Sequence, residues 1–329
     1  MSPGATAEAI AIQSYLDGSA LASLGDDVRE GLTREPLKEL APKYFYDARG
    51  SDLFDRITEQ PEYYPTRCER AILNRRAPEI VRMTGATELV ELGSGSASKT
   101  RALLYAMAGA GTLERFVPMD CSPEPVERCA VELTDTYPGL SVHGVVGDFQ
   151  QHLEHVPDGE RRLVAFLGGT IGNFYSEERA SFLADVRSMM DDGDWFLLGT
   201  DLVKDVDVLE AAYNDAAGMT AEFNRNVLRV INNELDADFD LDSFEHRAFF
   251  DPDSSWIEMR LRACGPQRVR IPGAQLQVEF ADGEEMRTEI STKFTLDALV
   301  RELNEAGLQL EAFFTDPDGM FGVTLAAPR

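Results

Sequence analysis

Between Arg67 and Val203 the sequence alternates short apolar runs with longer amphipathic ones, and this rhythm constrains the fold more than any other feature. Helices are predicted over 69–84, 99–108, 123–137 and 177–190, and strands over 88–92, 116–120, 141–147, 163–168 and 195–201. Strands this apolar are covered on both faces, and helices between them supply parallel connections. The expected fold class is therefore α/β, with a doubly wound sheet. An N-terminal stretch to about Leu40 reads as helical, and in the aromatic, turn-rich run over 43–67 that follows, Pro61 and Pro65 interrupt any continuous helix.

After Asp201 the rhythm changes. A long helical stretch over 207–233 precedes strands over 245–250, 256–264 and 275–281, and Asp282-Gly283 signals a hairpin into a strand over 284–293. A last helix over 296–306 and strands over 308–315 and 321–326 then complete the parallel sheet. The insertion forms a second, α+β domain. The expected division is 15–66 with 204–292 for substrate, and 67–203 with 293–329 for cofactor.

Charge and composition exclude several classes. Fifty-eight acidic against 31 basic residues give a net charge of −27, which repels nucleic acid and anionic membrane surfaces. No run of 18 apolar residues is present, and residues 1–12 lack a secretory pattern. Four cysteines without C-x-x-C spacing fit reduced thiols in a cytoplasm. His152 and His155 share a helical face but have no further ligands at metal spacing, so no metal is expected. Nothing suggests an oligomerisation helix, and a monomer is expected.

Glu91-Leu-Gly-Ser-Gly-Ser-Ala-Ser-Lys-Thr100 lies between the first strand and its helix. Gly93 and Gly95 let a ligand approach the backbone, and the following helix N-terminus favours an anion. A dinucleotide fingerprint wants Gly or Ala at position 98, where this chain has Ser98, so NAD is the weaker reading. E-x-G-x-G instead resembles motif I of class I S-adenosylmethionine (SAM)-dependent methyltransferases. Asp120 ends the second strand, where a carboxylate can accept ribose hydroxyls. Asp148 and Phe149 end the third, where they suit the adenine amino group and ring, and Lys99 suits a cofactor carboxylate.

Longer motifs sharpen the resemblance. Tyr44-Phe-Tyr-Asp-x-x-Gly-Ser-x-Leu-Phe54, Pro61-Glu-Tyr-Tyr-Pro-Thr-Arg67, Phe166-Leu-Gly-x-Thr-Ile-Gly-Asn173, Thr200-Asp-Leu-Val-Lys-Asp205 and Phe223-Asn-Arg-Asn-Val-Leu228 resemble the histidine-specific methyltransferase family over nearly the whole chain. The resemblance implies a Rossmann-like methyltransferase sheet with a substrate-binding α+β domain. It implies Nα-trimethylation of L-histidine to hercynine in ergothioneine biosynthesis, with SAM as cofactor. The alternative is an Nα-methyltransferase for tryptophan or a tryptophan derivative.

The resemblance also assigns residues. Tyr63, Asn173 and Tyr213 would hold the amino and carboxylate groups, and Glu289 and Ser291 the imidazole. Tyr46, Phe54, Gly168, Thr220 and Met259 would complete the pocket, with Tyr46, Tyr63 and Asn173 nearest the chemistry. Gly169 departs from the serine expected there. From the residues alone, Glu289 and Ser291 are two apart on a predicted strand and so share a face.

Overall fold

The structure, a computed structural model, describes residues 9–16, 20–95 and 97–329. The parts of the predicted N-terminal helix on residues 1–8 and 17–19, and Ser96 of the glycine turn, lie outside the described residues.

The chain opens with β1 (Ile10–Ser14), α1 (Ala20–Leu32), β2 (Lys38–Glu39), α2 (Ala48–Thr58) and α3 (Pro65–Thr84). The alternating core follows as β3 (Glu88–Leu92), α4 (Arg101–Ala110), β4 (Arg115–Asp120), α5 (Pro123–Thr136), β5 (Ser141–Val146), β6 (Arg162–Phe166), α6 (Ser176–Ser188) and β7 (Trp195–Asp201). The insertion comprises α7 (Val206–Ala212), α8 (Met219–Glu234), β8 (Phe244–Asp251), β9 (Trp256–Ala263), β10 (Gln267–Ile271), β11 (Leu276–Phe280) and β12 (Glu285–Thr292). The chain returns through α9 (Leu296–Glu305), β13 (Leu308–Thr315) and β14 (Phe321–Pro328).

Eight strands form the main sheet in the order β1-β5-β4-β3-β6-β7-β14-β13. The first six are parallel, and β14 and β13 are antiparallel additions at the far edge. Successive residues of β3 face opposite layers: Leu89 packs in one apolar cluster, with residues of α3 and α4, and Val90 and Leu92 in the other, with residues of α6 and α9. That two-sided burial is why these strands read as continuous apolar runs. The chain winds outward from β3 to β5, then restarts beside β3 with β6. The order therefore reverses between β3 and β6, and a ligand crevice opens at the carboxyl ends of such a pair.

A second sheet, β2-β12-β9-β8, comes from the insertion plus the short strand β2. It meets the main sheet through the Thr170–Asn173 turn that follows β6. A Cβ on Gly172 would lie 2.9 Å from the carbonyl oxygen and 3.1 Å from the nitrogen of Thr292, so only glycine allows this turn to lie against β12. The Asn173 amide donates to the Ile290 carbonyl at 2.7 Å and fastens the same contact.

Three expectations about the elements change. Asp282-Gly283 does not close a hairpin of β11 on β12: β11 pairs with β10 in a separate two-stranded sheet, and β12 lies between β2 and β9. The N-terminal stretch is not one helix: Ile10–Ser14 pairs in parallel with Val142–Val146 as an edge strand, and α1 follows separately. The helix expected over 207–233 is two helices. Tyr213 closes α7, and Gly218, at φ +73°, leads into α8, whose first two N–H groups donate to Asp215 at 2.8 and 2.7 Å. Among the described residues no helix is long and apolar enough to cross a membrane.

Gly172→Ala forces two backbones apart where the sheets join. The expected cost is about 1–3 kcal/mol, as for other overpacked sites, and a lowered urea midpoint with unchanged slope is the measurement that checks it.

Candidate active site

The five expected cofactor positions lie at the carboxyl ends of β3, β4 and β5. The N–H groups of Gly93 and Ser94 donate to the Met119 carbonyl at 2.8 and 3.0 Å, which folds the glycine turn back over β4. Gly93 has φ +70°. A Cβ there would meet the Phe149 ring at 3.5 Å, so glycine keeps the space between turn and ring open. Asp120 clamps two loops, accepting from the Gly95 N–H at 2.8 Å and the Ser122 N–H at 2.9 Å. Phe149 packs edge-on against Phe166 at 5.2 Å, and Asp148 accepts from the Gln150 N–H at 2.8 Å.

Lys99 stands in the turn before α4 rather than inside the helix, and donates to Glu69 at 2.7 Å. Glu69 is fully buried on α3, and its other oxygen accepts from the Gly168 N–H at 2.7 Å. One carboxylate thus sets both the lysine and the loop after β6. An ammonium has three donors, so Lys99 keeps capacity beyond this pair.

An aromatic wall faces this edge. Tyr46 lies 5.7 Å from Phe54 and 5.5 Å from Phe223, Phe54 lies 6.1 Å from Tyr63, and Tyr63 lies 6.4 Å from Tyr213, ring to ring. Polar contacts shape the segments that carry Tyr46 and Tyr63. Asp47, next to Tyr46, caps α2 by accepting from the Gly50 N–H at 2.7 Å, and it also accepts from Asn226 of α8 at 2.7 Å. Arg67 donates to the carbonyls of Gln60, Pro61 and Tyr63 at 2.6–2.8 Å, which shapes the turn that presents Tyr63. Thr220 is buried in the first turn of α8, one turn before Phe223.

Strand β12 supplies the opposite wall. Glu289 is half-buried and pairs in register with Met259 of β9, which places their side chains on one face. Ser291 is buried, and its oxygen lies 2.8 Å from the Tyr213 hydroxyl. Asn173 lies beside Glu289, close enough for its amide to act on the carboxylate. The structure thus gathers Tyr46, Phe54, Tyr63, Asn173, Tyr213, Met259, Glu289 and Ser291 around one cleft.

Sequence reasoning left out a buried charge cluster beneath that cleft. Lys293 is fully buried and donates to Tyr213 and Ser291, both at 2.9 Å, and to Asp201 at 2.9 Å. Asp201 also accepts from Lys204 at 2.6 Å and from Tyr64 at 2.8 Å. The signals were present but silent: Glu289-x-Ser291-x-Lys293 is a period-two run, and Asp201 and Lys204 lie in a quoted motif. Neither pattern says what a lysine contacts.

A glycine-rich turn after β3, strand-end carboxylates and a sheet order reversing at that point define the fold of a class I SAM-dependent methyltransferase. The chain belongs to the family described as histidine-specific, SAM-dependent methyltransferases, which it matches over residues 24–328. It is 52% identical to the histidine N-alpha-methyltransferase of Mycolicibacterium smegmatis over 96% of this chain and 99% of that one. It is 50% identical to the Mycobacterium tuberculosis protein of the same name, over 93% and 95% of the two chains. The L-tryptophan methyltransferase of Psilocybe serbica is 26% identical over 89% and 90%.

Electrostatics sets what each group can do. Although Tyr46 is 40% exposed, the protein packed around it, then the carboxylate of Glu289 and the phenol of Tyr213, with Asp120 contributing, push its hydroxyl far above its ordinary pKa. Tyr63 is raised in the same way, by burial first and then by its neighbours Tyr213, Tyr46 and Glu289. Both phenols are therefore neutral and act as donors or walls rather than as bases. Burial raises Glu289 to about 7, although Lys293 and Asn173 pull against it.

A carboxyl whose folded pKa lies above its unfolded value stabilises the fold below the unfolded value, and that contribution is lost as pH rises through the folded one. Glu289→Gln is therefore expected to melt above the wild type at pH 8, with the gain vanishing near pH 4. Thermal melts at the two pH values check this, on a scale of about 2–4 °C per kcal/mol relieved.

Proposed function

We propose that the protein transfers methyl groups from SAM to the α-amino nitrogen of L-histidine, three times in succession, giving hercynine. The observation that carries the reading is the cleft itself: Glu289, Met259 and Ser291 on one wall, Tyr63, Tyr213 and Asn173 around it, and Tyr46 acted on by both Glu289 and Asp120. Influence from both sides supports a place for Tyr46 between the substrate and the cofactor.

The residues at the sheet edge suit the cofactor. Asp120 and Asp148 offer acceptors for hydroxyl and amino groups, Phe149 a ring face, Lys99 an ammonium, and Gly93 a surface without a side chain. When bound, SAM supplies an electrophilic methyl group on a sulfonium centre. The protein's own part is positioning. Glu289 and Ser291 fix the imidazole, Asn173 and Tyr213 fix the amino-acid head, and Tyr63 orients the amine. Tyr46, Phe54 and Tyr63 keep water from the reacting nitrogen and face the developing methylammonium with aromatic rings. Gly168, Thr220 and Met259 complete the pocket, which takes a small-molecule substrate.

The direct test incubates the purified protein with SAM and an equimolar mixture of the twenty amino acids and reads products by mass. A single product at histidine plus three methyl groups is expected. Tryptophan methylation would keep the fold and cofactor and overturn the pocket assignment, and no product would overturn the free-amino-acid reading. Glu289→Ala is expected to lower kcat/KM for histidine by roughly 10- to 100-fold, the worth of one charge-assisted hydrogen bond. Its SAM affinity, measured by calorimetry, stays at the wild-type value.

A further inference from the structure

Two residues beyond Ser291, just past the end of β12, Lys293 is fully buried, and the reading above gives it no role. Its ammonium has three donors. All three are used, by Asp201, by the Tyr213 hydroxyl and by Ser291 Oγ, each at 2.9 Å. Burial works against the charge, but Asp201 and Tyr213 more than offset it and keep the lysine protonated.

The consequence falls on Ser291. The Tyr213 hydroxyl donates to Ser291 Oγ at 2.8 Å, the direction expected when the more acidic phenol meets an aliphatic hydroxyl. A serine oxygen accepts through two lone pairs and donates through one O–H. Lys293 fills one lone pair and Tyr213 the other, so what remains is a single donor. Glu289, two residues earlier on the same face, is complementary: at pH above about 7, where it is ionised, its carboxylate only accepts. A neutral imidazole carries one N–H and one bare nitrogen, which match this acceptor and donor in turn.

We propose that Lys293 is a positioning residue that holds Ser291 as an obligate hydrogen-bond donor, so that the Glu289–Ser291 face selects a ring with one N–H and one unprotonated nitrogen. The proposal rests on the histidine reading above and adds a source for its ring selectivity. A ring without the bare nitrogen leaves the Ser291 O–H facing carbon, and Ser291 cannot turn to accept because its lone pairs are occupied.

The test compares kcat/KM for L-histidine with that for the two pyrrolylalanine isomers, which keep an N–H at one ring position and place C–H at the other. The wild-type protein is expected to prefer histidine by roughly 10- to 100-fold, the effect of one unpaired buried donor. Lys293→Met frees one lone pair of Ser291, and the preference is expected to fall by about tenfold. Ser291→Ala is expected to remove the preference while leaving the buried ammonium and Asp201 in place.

Tyr213→Phe frees the other lone pair and is expected to lower the same ratio. It also serves if Lys293→Met proves unfolded in a thermal melt. Tyr213 touches the amino-acid head too, but histidine and the pyrroles share that head, so its effect cancels in the ratio. A folded Lys293→Met or Tyr213→Phe protein that loses rate on all substrates with the wild-type ratio intact would overturn the proposal and leave Lys293 only structural. A wild-type protein that methylates no histidine would overturn the functional reading itself, and the inference with it.

Discussion

The carboxylate of Asp201, closed between two buried ammonium groups, is the interaction on which the rest of the cleft depends. It ends β7, accepts from Lys293 and Lys204, and receives the Tyr64 hydroxyl from the start of α3. Moving any of these charges out of water costs several kcal/mol. The cost is met only because each has partners: burial raises the pKa of Asp201, and the two lysines more than reverse the shift. Three segments distant in sequence converge there, and removing the carboxylate would leave two like charges facing each other. The cluster keeps a net positive charge directly behind Tyr213 and Ser291, so the hydroxyls that face the cleft are polarised from below.

A second buried carboxylate plays the matching part on the cofactor side. Glu69 holds Lys99 and the Gly168 N–H with its two oxygens, linking α3, the turn before α4 and the loop after β6. Both carboxylates sit near the carboxyl ends of adjacent strands, β6 and β7, beside the reversal of sheet order that opens the crevice. The main sheet thus offers a rigid edge, and two ionic anchors fix the movable parts against it. The glycine contact at position 172 and the Asn173 amide then bring the second sheet into the same frame.

Much of this was legible in the sequence, for identifiable reasons. Strands β3 to β7 are buried on both faces and read as short apolar runs, and the glycine turn is local. The motifs around Tyr46 and Tyr63 are local as well: the Asp47 cap and the Arg67 clasp act within seven residues. What escaped is non-local or weakly patterned. Ile10–Ser14 is a five-residue edge strand whose pairing partner lies beyond three other strands of the chain. The break between α7 and α8 depends on Asp215 capping N–H groups, which helix periodicity does not reveal. Lys293 meets Tyr213 across 80 residues of sequence and Tyr64 meets Asp201 across 137, and no spacing rule reaches that far.

Repeated methylation at one nitrogen places a constraint on such a site that a single transfer does not. Each round removes an N–H donor and adds bulk at the amine, so acceptors that gripped the unmethylated nitrogen firmly would lose their hold as the reaction advanced. In the proposed reaction the firm contacts lie elsewhere. The imidazole and the carboxylate do not change between rounds, and it is to these that the hydrogen-bonding groups on and around β12 are assigned. Around the amine the wall is aromatic: Tyr46, Phe54 and Tyr63 present rings whose hydroxyls, where present, stay neutral. A ring face attracts an ammonium and a methylammonium without requiring a fixed number of N–H bonds. Holding the invariant ends of the substrate and leaving the changing nitrogen to non-directional contacts lets one geometry serve all three transfers.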